Sequence, residues 1–408
     1  MDEKEEKKYF NEIKKIEKEY YSLASCFDLN FPKITNLDCE KKIFFHAIEN
    51  EIIYNPQFEF SYKKFNEEKI KQLKNIKIST ENDYFNIKYL YKQRIRTKIY
   101  EIKCHQSWGD TISTNYAIKY RGEPTLTLLN KAIDFCEKYK KKAIRYRSLT
   151  PVVVGEELLA EIERLTGQKA KINYVLCMAS KMNISPAEQT ININSSEHFT
   201  NLDLERLKVH EIGVHYMRYF NAKKINVKLF QKGTSNYIET EEGLAVYFEE
   251  LKGVLSNAQM HIYAGRVIGT YYALKLSFYE VFHILKSYGF SNEIAFNITT
   301  RAKRNLSDTS KAGGFTKDYV YFNGYYRIKR YTKNHDIKDL FFGKIKLEDV
   351  YLLRDLIDRY KSNIVCDNTV CNNMVEEEEE ITEGQVVEKQ EKILNQEIEI
   401  TTVSANNI

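Results

Sequence analysis

The chain has 408 residues, 43% hydrophobic and 29% charged, enough to bury a core as one large domain or two smaller ones. Its net charge of +5 hides an asymmetry: residues 372–408 hold ten acidic residues and two lysines, a net of −8, so residues 1–371 carry +13. No apolar run approaches the ~18 residues of a membrane-spanning helix, and MDEKEEKKYF is charged where a signal peptide needs an apolar core.

Seven cysteines (Cys26, Cys39, Cys104, Cys136, Cys177, Cys366 and Cys371) form no CxxC, and their odd number excludes a complete disulfide framework. These features predict a reduced, soluble, cytoplasmic protein with no membrane partner. The basic body suits an anionic partner. Nucleic acid is not expected, because no nucleic-acid-binding motif is present.

In chain order, residues 1–22 set Phe10, Ile13, Ile16 and Tyr20 at helical spacing among charges, which predicts an amphipathic helix docked on the body. In 95–120, IRTKIYEIKCHQSWGDTISTNYAIKY, alternation with β-branched and aromatic residues predicts strands. PTLTLLNKAIDFCEKYKKK predicts a helix with Pro124 in an early turn, and VGEELLAEIERLTG a helix ended by Gly167. KINYVLCMAS follows as a buried strand and AEQTININSS as a half-buried one. FTNLDLERLKVHEIGVHYMRYFN is a helix capped near Thr200 or Asn201. Long helical patterns cover 239–254 and 258–288. SNEIAFNITTRAKR and LEDVYLLRDLIDRYKS predict two more, with a Gly- and Tyr-rich stretch between them. The tail, with VEEEEE and few aromatic residues, predicts disorder.

Chemistry concentrates in KVHEIGVHYMR, residues 208–218. A regular helix turns about 100° per residue, so His210 and His215, five apart, would diverge by about 140°. A widened, π-type turn restores convergence, and such turns gather at functional sites. Gly213 is the position where that departure costs least. His210 and His215 then offer two imidazole nitrogens to one metal ion, and Glu211 faces the same space as a base. A third ligand is expected downstream in YIETEEGLAVYFEEL, where Glu242 sits beside the apolar stripe of Leu244, Ala245, Tyr247 and Phe248.

RLKVHEIGVHYMR followed by ETEEGLAVYFEE resembles the microtubule-associated tyrosine carboxypeptidase family, whose signatures are an H-E-x-x-x-H helix and a later Q/E-E-G-L-A helix. TTRAKRNLSDTSKAGGFTKDYVYFNGYYRIKRY, residues 299–331, is similar to a third family segment, with Asn305 where glycine is usual. The resemblance covers roughly residues 90–360. It implies one zinc ion on His210, His215 and Glu242, with Glu211 as catalytic glutamate. It also implies an α+β, zincin-like metallopeptidase, mainly helical, with a small mixed sheet beside the active-site helix. The chain then divides into an N-terminal helical segment at 1–90, a catalytic domain at 91–365 and an acidic disordered tail at 366–408.

The expected reaction is hydrolysis of a C-terminal residue, with the C-terminal tyrosine of α-tubulin as the substrate the resemblance implies. Association with the cytoskeleton follows from it. Glu211 takes a proton from water and passes it to the leaving amine. Tyr321 is the candidate donor to the developing oxyanion. Arg301, Arg304 and Lys317 are the candidate grips for the substrate's terminal carboxylate. TININSS, as an edge strand, offers its backbone to an extended acidic tail. Two other readings stand beside this one: a tubulin-binding module with a structural or inactive zinc site, and a zinc peptidase with another substrate.

Overall fold

The computed structural model describes residues 2–61, 65–139, 148–176, 178 and 180–367. Residues 1–366 form one compact unit. The expected tail disorder lies almost wholly outside the described residues, as do Cys177 and the end of KYKKK. Among the described residues, no helix is long and apolar enough to cross a membrane. Cys26, Cys39, Cys104 and Cys136 are free thiols, whereas Cys366 is disulfide-bonded.

The unit is mainly helical with two small sheets. Helix α1 (Glu3–Ala24) starts in a capping box of Asp2 and Glu5 and buries Tyr9, Ile13, Tyr20 and Leu23. α2 (Leu37–Glu49) and α3 (Glu67–Lys74) precede α4 (Ile87–Gln106) and α5 (Ile112–Arg121). Strands were expected over 95–120, and these two helices replace them. Ile87, Leu90, Tyr91, Ile95 and Ile102 are buried at helical spacing along α4, so burial of that face outweighs the β-branched composition.

α6 (Leu126–Lys138) is capped by Thr125, and α7 (Pro151–Thr166) ends at Gly167 with φ +67°. β1 (Ser148–Leu149) pairs antiparallel with β5 (Phe199–Thr200). The other sheet runs β2 (Lys171–Val175), β4 (Thr190–Asn194), β3 (Met182–Ser185), with β2/β4 parallel and β3/β4 antiparallel. β2 is largely exposed rather than buried. β4 buries Ile191 and Ile193, but it is the central strand. Its backbone is bonded on both sides, so TININSS offers no free edge to a substrate.

Val154, Leu158 and Ile162 of α7, Ile191 and Ile193 of β4, and Ile212 and Tyr216 share one core cluster. That cluster seats the metal-motif helix on the sheet. The helix itself has three parts: α8 (Asn201–Leu207), a π-helix (Lys208–Tyr216) and α9 (Met217–Ile225). Thr200 caps α8, with Asp203 reciprocating. At the far end the Met217 N–H bonds Ile212 O, five residues back, the π pattern the histidine spacing required. The widening spans nine residues instead of centring on Gly213, where an added Cβ would come no closer than 3.4 Å to Lys208 O.

α10 (Lys228–Lys232) leads to α11 (Ile238–Leu251). The pattern over 258–288 is two helices, α12 (Asn257–Ala273) and α13 (Phe278–Ser287), divided by a Ser277/Glu280 capping box. α14 (Asn292–Lys303) follows, and the Gly- and Tyr-rich stretch contains α15 (Val320–Tyr331). α16 (Asp349–Leu352) and α17 (Arg354–Tyr360) close the unit.

α11 and α15 cross at two glycines. A Cβ on Gly243 would stand 2.2 Å from Gly324 C, and one on Gly324 would stand 2.2 Å from Glu239 O. Backbone meets backbone there, so no side chain can rotate away. Gly324→Ala should lower stability by about 1–3 kcal/mol, read from the urea midpoint. Gly213→Ala should change it by less than about 1 kcal/mol. Equal losses would contradict this packing.

Candidate active site

The π-helix brings His210 and His215 together, ring centroids 4.7 Å apart and planes at 88°. Ligand atoms of His210, Glu211 and His215 all lie within 4.8 Å of one another. From α11, Glu242 Oε2 comes within 3.3 Å of His210 Nε2 and 3.6 Å of His215 Nε2. A tetrahedral ion with bonds of about 2.0–2.1 Å holds its ligands about 3.3–3.4 Å apart. The two Glu242 separations are close to that spacing.

The far side of each imidazole is also occupied. His210 Nδ1 lies 2.8 Å from Glu249 Oε1, and His215 Nδ1 lies 3.2 Å from Glu241 Oε1. A carboxylate behind a distal nitrogen favours the tautomer that turns Nε2 inward. At His210 Glu249 does so through a hydrogen bond, whereas at His215 the Glu241 contact is charge proximity, its Nδ1 having no aligned hydrogen bond. Each carboxylate is itself held. Arg206 grips Glu249 with Nε at 3.0 Å and Nη2 at 3.2 Å. Glu241 accepts from Lys344 at 2.8 Å and from the fully buried Arg218. Arg218 also donates to Leu340 O (2.8 Å) and Ile345 O (2.7 Å). Sequence reasoning missed Glu241 and Glu249. Glu249 lies two helical turns after Glu242, a signal that could have found it.

Burial alone would strip the imidazoles of charge. The adjacent carboxylates of Glu242 and Glu249 instead raise His210 to about 10, and those of Glu241 and Glu242 raise His215 to about 9. Burial likewise opposes ionisation of Glu242, yet the two histidines hold it well below the usual carboxylate range. These shifts share a cause: surrounding carboxylates favour positive charge where the Nε2 atoms meet.

The remaining candidates divide. Tyr321 stacks on Tyr263 (5.0 Å, 5°), with the Arg266 guanidinium over both rings. Burial and then Glu242 push its hydroxyl well above the ordinary value, so it remains a neutral donor. Arg301 is committed to a two-point grip on Asp318 at 2.6 and 2.9 Å, which takes up the charge expected for substrate. Arg304 is different: Nε and Nη2 are buried without a hydrogen-bond partner, and the guanidinium lies 4.6 Å from the rings of both Phe31 and Phe315.

Lys317 lies over Phe31 and within the field of Glu242. Burial, with Arg121 and Arg304, pushes its ammonium down to about 8 against the pull of Glu242 and Asp318. Arg121 on α5, outside the motif blocks, joins them with its Nε buried and unpartnered and its guanidinium 5.5 Å from Phe315. Asn305 is buried, donates to Ser113 Oγ and accepts the Gly109 N–H, so it pins α5 to the end of α14.

Fold and site together define a mainly helical α+β protein in which two histidines and several glutamates converge near a cluster of partly buried basic side chains. The chain matches the family described as microtubule-associated tyrosine carboxypeptidase over residues 42–381, and it belongs to that family. It is similar to microtubule-associated tyrosine carboxypeptidase 1 of Mus musculus, 27% identical over 256 residues, 58% of this chain and 53% of the relative. The Homo sapiens protein of that name is 34% identical over 175 residues, 41% of this chain and 34% of the relative. The matched segments thus span about a third to a half of the relatives' length.

Glu249→Gln keeps an acceptor but loses the charge behind His210. It should weaken zinc affinity about 10–100-fold in competition with a chromophoric chelator. Glu239→Gln, on the same helix but bonded to Asn323 and Arg327, should leave it unchanged. Equal effects would remove Glu249 from the site.

Proposed function

We propose that this chain is a zinc-dependent carboxypeptidase of zincin-like architecture that releases a C-terminal tyrosine from an acidic protein tail, that of α-tubulin. The observation that carries this reading is the convergence of His210, His215 and Glu242 beside Glu211. His210, His215 and Glu242 would hold the ion, and Glu241 and Glu249 would orient the imidazoles. A zinc ion there supplies a Lewis acid that polarises a carbonyl and makes water acidic near neutral pH.

Glu211 takes the proton as the water oxygen attacks the scissile carbonyl carbon. It returns that proton to the amine nitrogen as the C–N bond breaks. The Tyr321 hydroxyl donates to the oxyanion. Arg304, Arg121 and Lys317 receive the substrate's terminal carboxylate, satisfying guanidinium N–H groups that the folded chain leaves unmade. That requirement selects a chain end over an internal peptide bond, because only the end carries the charge that relieves these buried cations. The basic body, +13 over residues 1–371, favours approach of an acidic tail.

Mass spectrometry of a glutamate-rich peptide ending in tyrosine tests the chemistry. Glu211→Gln should retain zinc and lose about 10²–10⁴-fold in kcat. Wild-type turnover in that variant would eliminate Glu211 as the base.

The carboxylate pocket has its own signature. Amidating the peptide's C-terminus should raise KM sharply, and Arg304→Gln should raise KM for the free acid but not for the amide. Lys317 is cationic below about pH 8, so KM should be lowest there and rise as pH climbs through 8. Lys317→Arg should flatten that rise. A KM independent of pH in wild type would exclude Lys317 from carboxylate binding.

A further inference from the structure

Away from the histidine centre, α1, α4 and the Asn226–Lys232 segment enclose a cavity of about 980 Å³. Six cations line it: Lys14, Lys18, Arg94, Lys98, Lys228 and Lys232. Glu17 is the acidic residue among the lining side chains, and it is already committed. It accepts from the Tyr91 hydroxyl (2.9 Å), the Lys228 backbone N–H (2.5 Å) and Lys14 Nζ (3.2 Å). Arg94 and Lys98 share one carboxylate behind the wall, Glu101, at 3.7 and 3.4 Å. Lys18, Lys228 and Lys232 are exposed to the cavity mouth, and no ion pair holds them among the described residues.

So many like charges around one concavity repel each other, and low-dielectric walls focus their field inward. The fold retains this arrangement where three separate elements meet, so the repulsion is a standing strain that a multivalent anion relieves.

The shape selects among anions. As a sphere the cavity is about 12 Å across, whereas an extended peptide with one charge per residue needs about 20 Å to present six charges. The walls are mainly helical, and none of the lining residues belongs to a strand, so no sheet edge is present among them to receive a peptide main chain. Several phosphates on a small scaffold concentrate their charge within the available width, and lysine and arginine are their ordinary partners. We propose that this cavity binds a compact polyphosphate, which clamps the N-terminal helix α1 onto α4 and α10.

The test is calorimetry and thermal unfolding of the full chain, with myo-inositol hexakisphosphate as the probe. One equivalent should bind and raise Tm. Lys18→Glu/Lys232→Glu, both at exposed positions, should weaken binding at least about tenfold. Lys15→Glu/Lys169→Glu, with the same change in charge outside the cavity, should change it less than about twofold. Phosphatidylcholine vesicles doped with phosphatidylinositol 4,5-bisphosphate separate the two sources. Sedimentation with vesicles, lost in the cavity variant, assigns the phosphates to a lipid headgroup, and binding of the free probe alone assigns them to a soluble molecule. Absence of saturable binding, equal weakening in both double variants, or tighter binding of a glutamate decapeptide would overturn the proposal. None of these readouts depends on peptide hydrolysis.

Discussion

Glu241, Glu242 and Glu249 of α11 meet the two imidazoles of the π-helix in a layer almost closed to solvent, and the site's other parts are arranged around that contact. Buried carboxylates so close together would destabilise a fold unless each were matched. Here charge alternates outward in two chains. Arg206 supports Glu249 and Glu249 supports His210. Arg218 and Lys344 support Glu241, and Glu241 supports His215. The histidines are thereby fixed by partners that never touch the central point. The glycine crossing of α11 with α15 keeps α11 at the depth where these contacts close.

Much of the centre was legible because one anomaly had one physical remedy. Histidines five apart are useless on an α-helix and convergent on a widened turn, and the structure has that turn. Thr200 and Gly167 were readable because caps depend on neighbours a few residues away. What was hidden depends on distant partners. Nothing local says that Asp318 occupies Arg301 and leaves Arg304 unmatched, or that Arg121 arrives from α5 to stand beside it. Nor does alternation in TININSS reveal whether the strand lies at an edge or in the middle of its sheet. Residues 95–120 were misread for a different reason. Their β-branched residues occupy a helical face, and composition outweighed the 3–4 spacing of Ile95, Ile99 and Ile102.

The basic surface also resolves into distinct environments. At Arg121, Arg304 and Lys317 the positive charge is stacked on aromatic rings and shielded from water, which suits one flat carboxylate. Between α1 and α10 it is carried largely by hydrated lysines around an open mouth. Net charge alone could not distinguish these two settings, although they differ in dielectric environment, donor geometry and the anion each suits.

Arg218 gives the fold a temporal property. This guanidinium takes two of its acceptors from Leu340 and Ile345, over 120 residues further along the chain, and Lys344 reaches Glu241 from the same loop. During synthesis the π-helix and α11 leave the ribosome long before that loop does. Until the loop arrives, Glu241 lacks its lysine and Arg218 lacks its carbonyls, so His215 has no fixed support. The nascent chain therefore carries the motif without the assembled centre, and the site matures only when its last strut is translated.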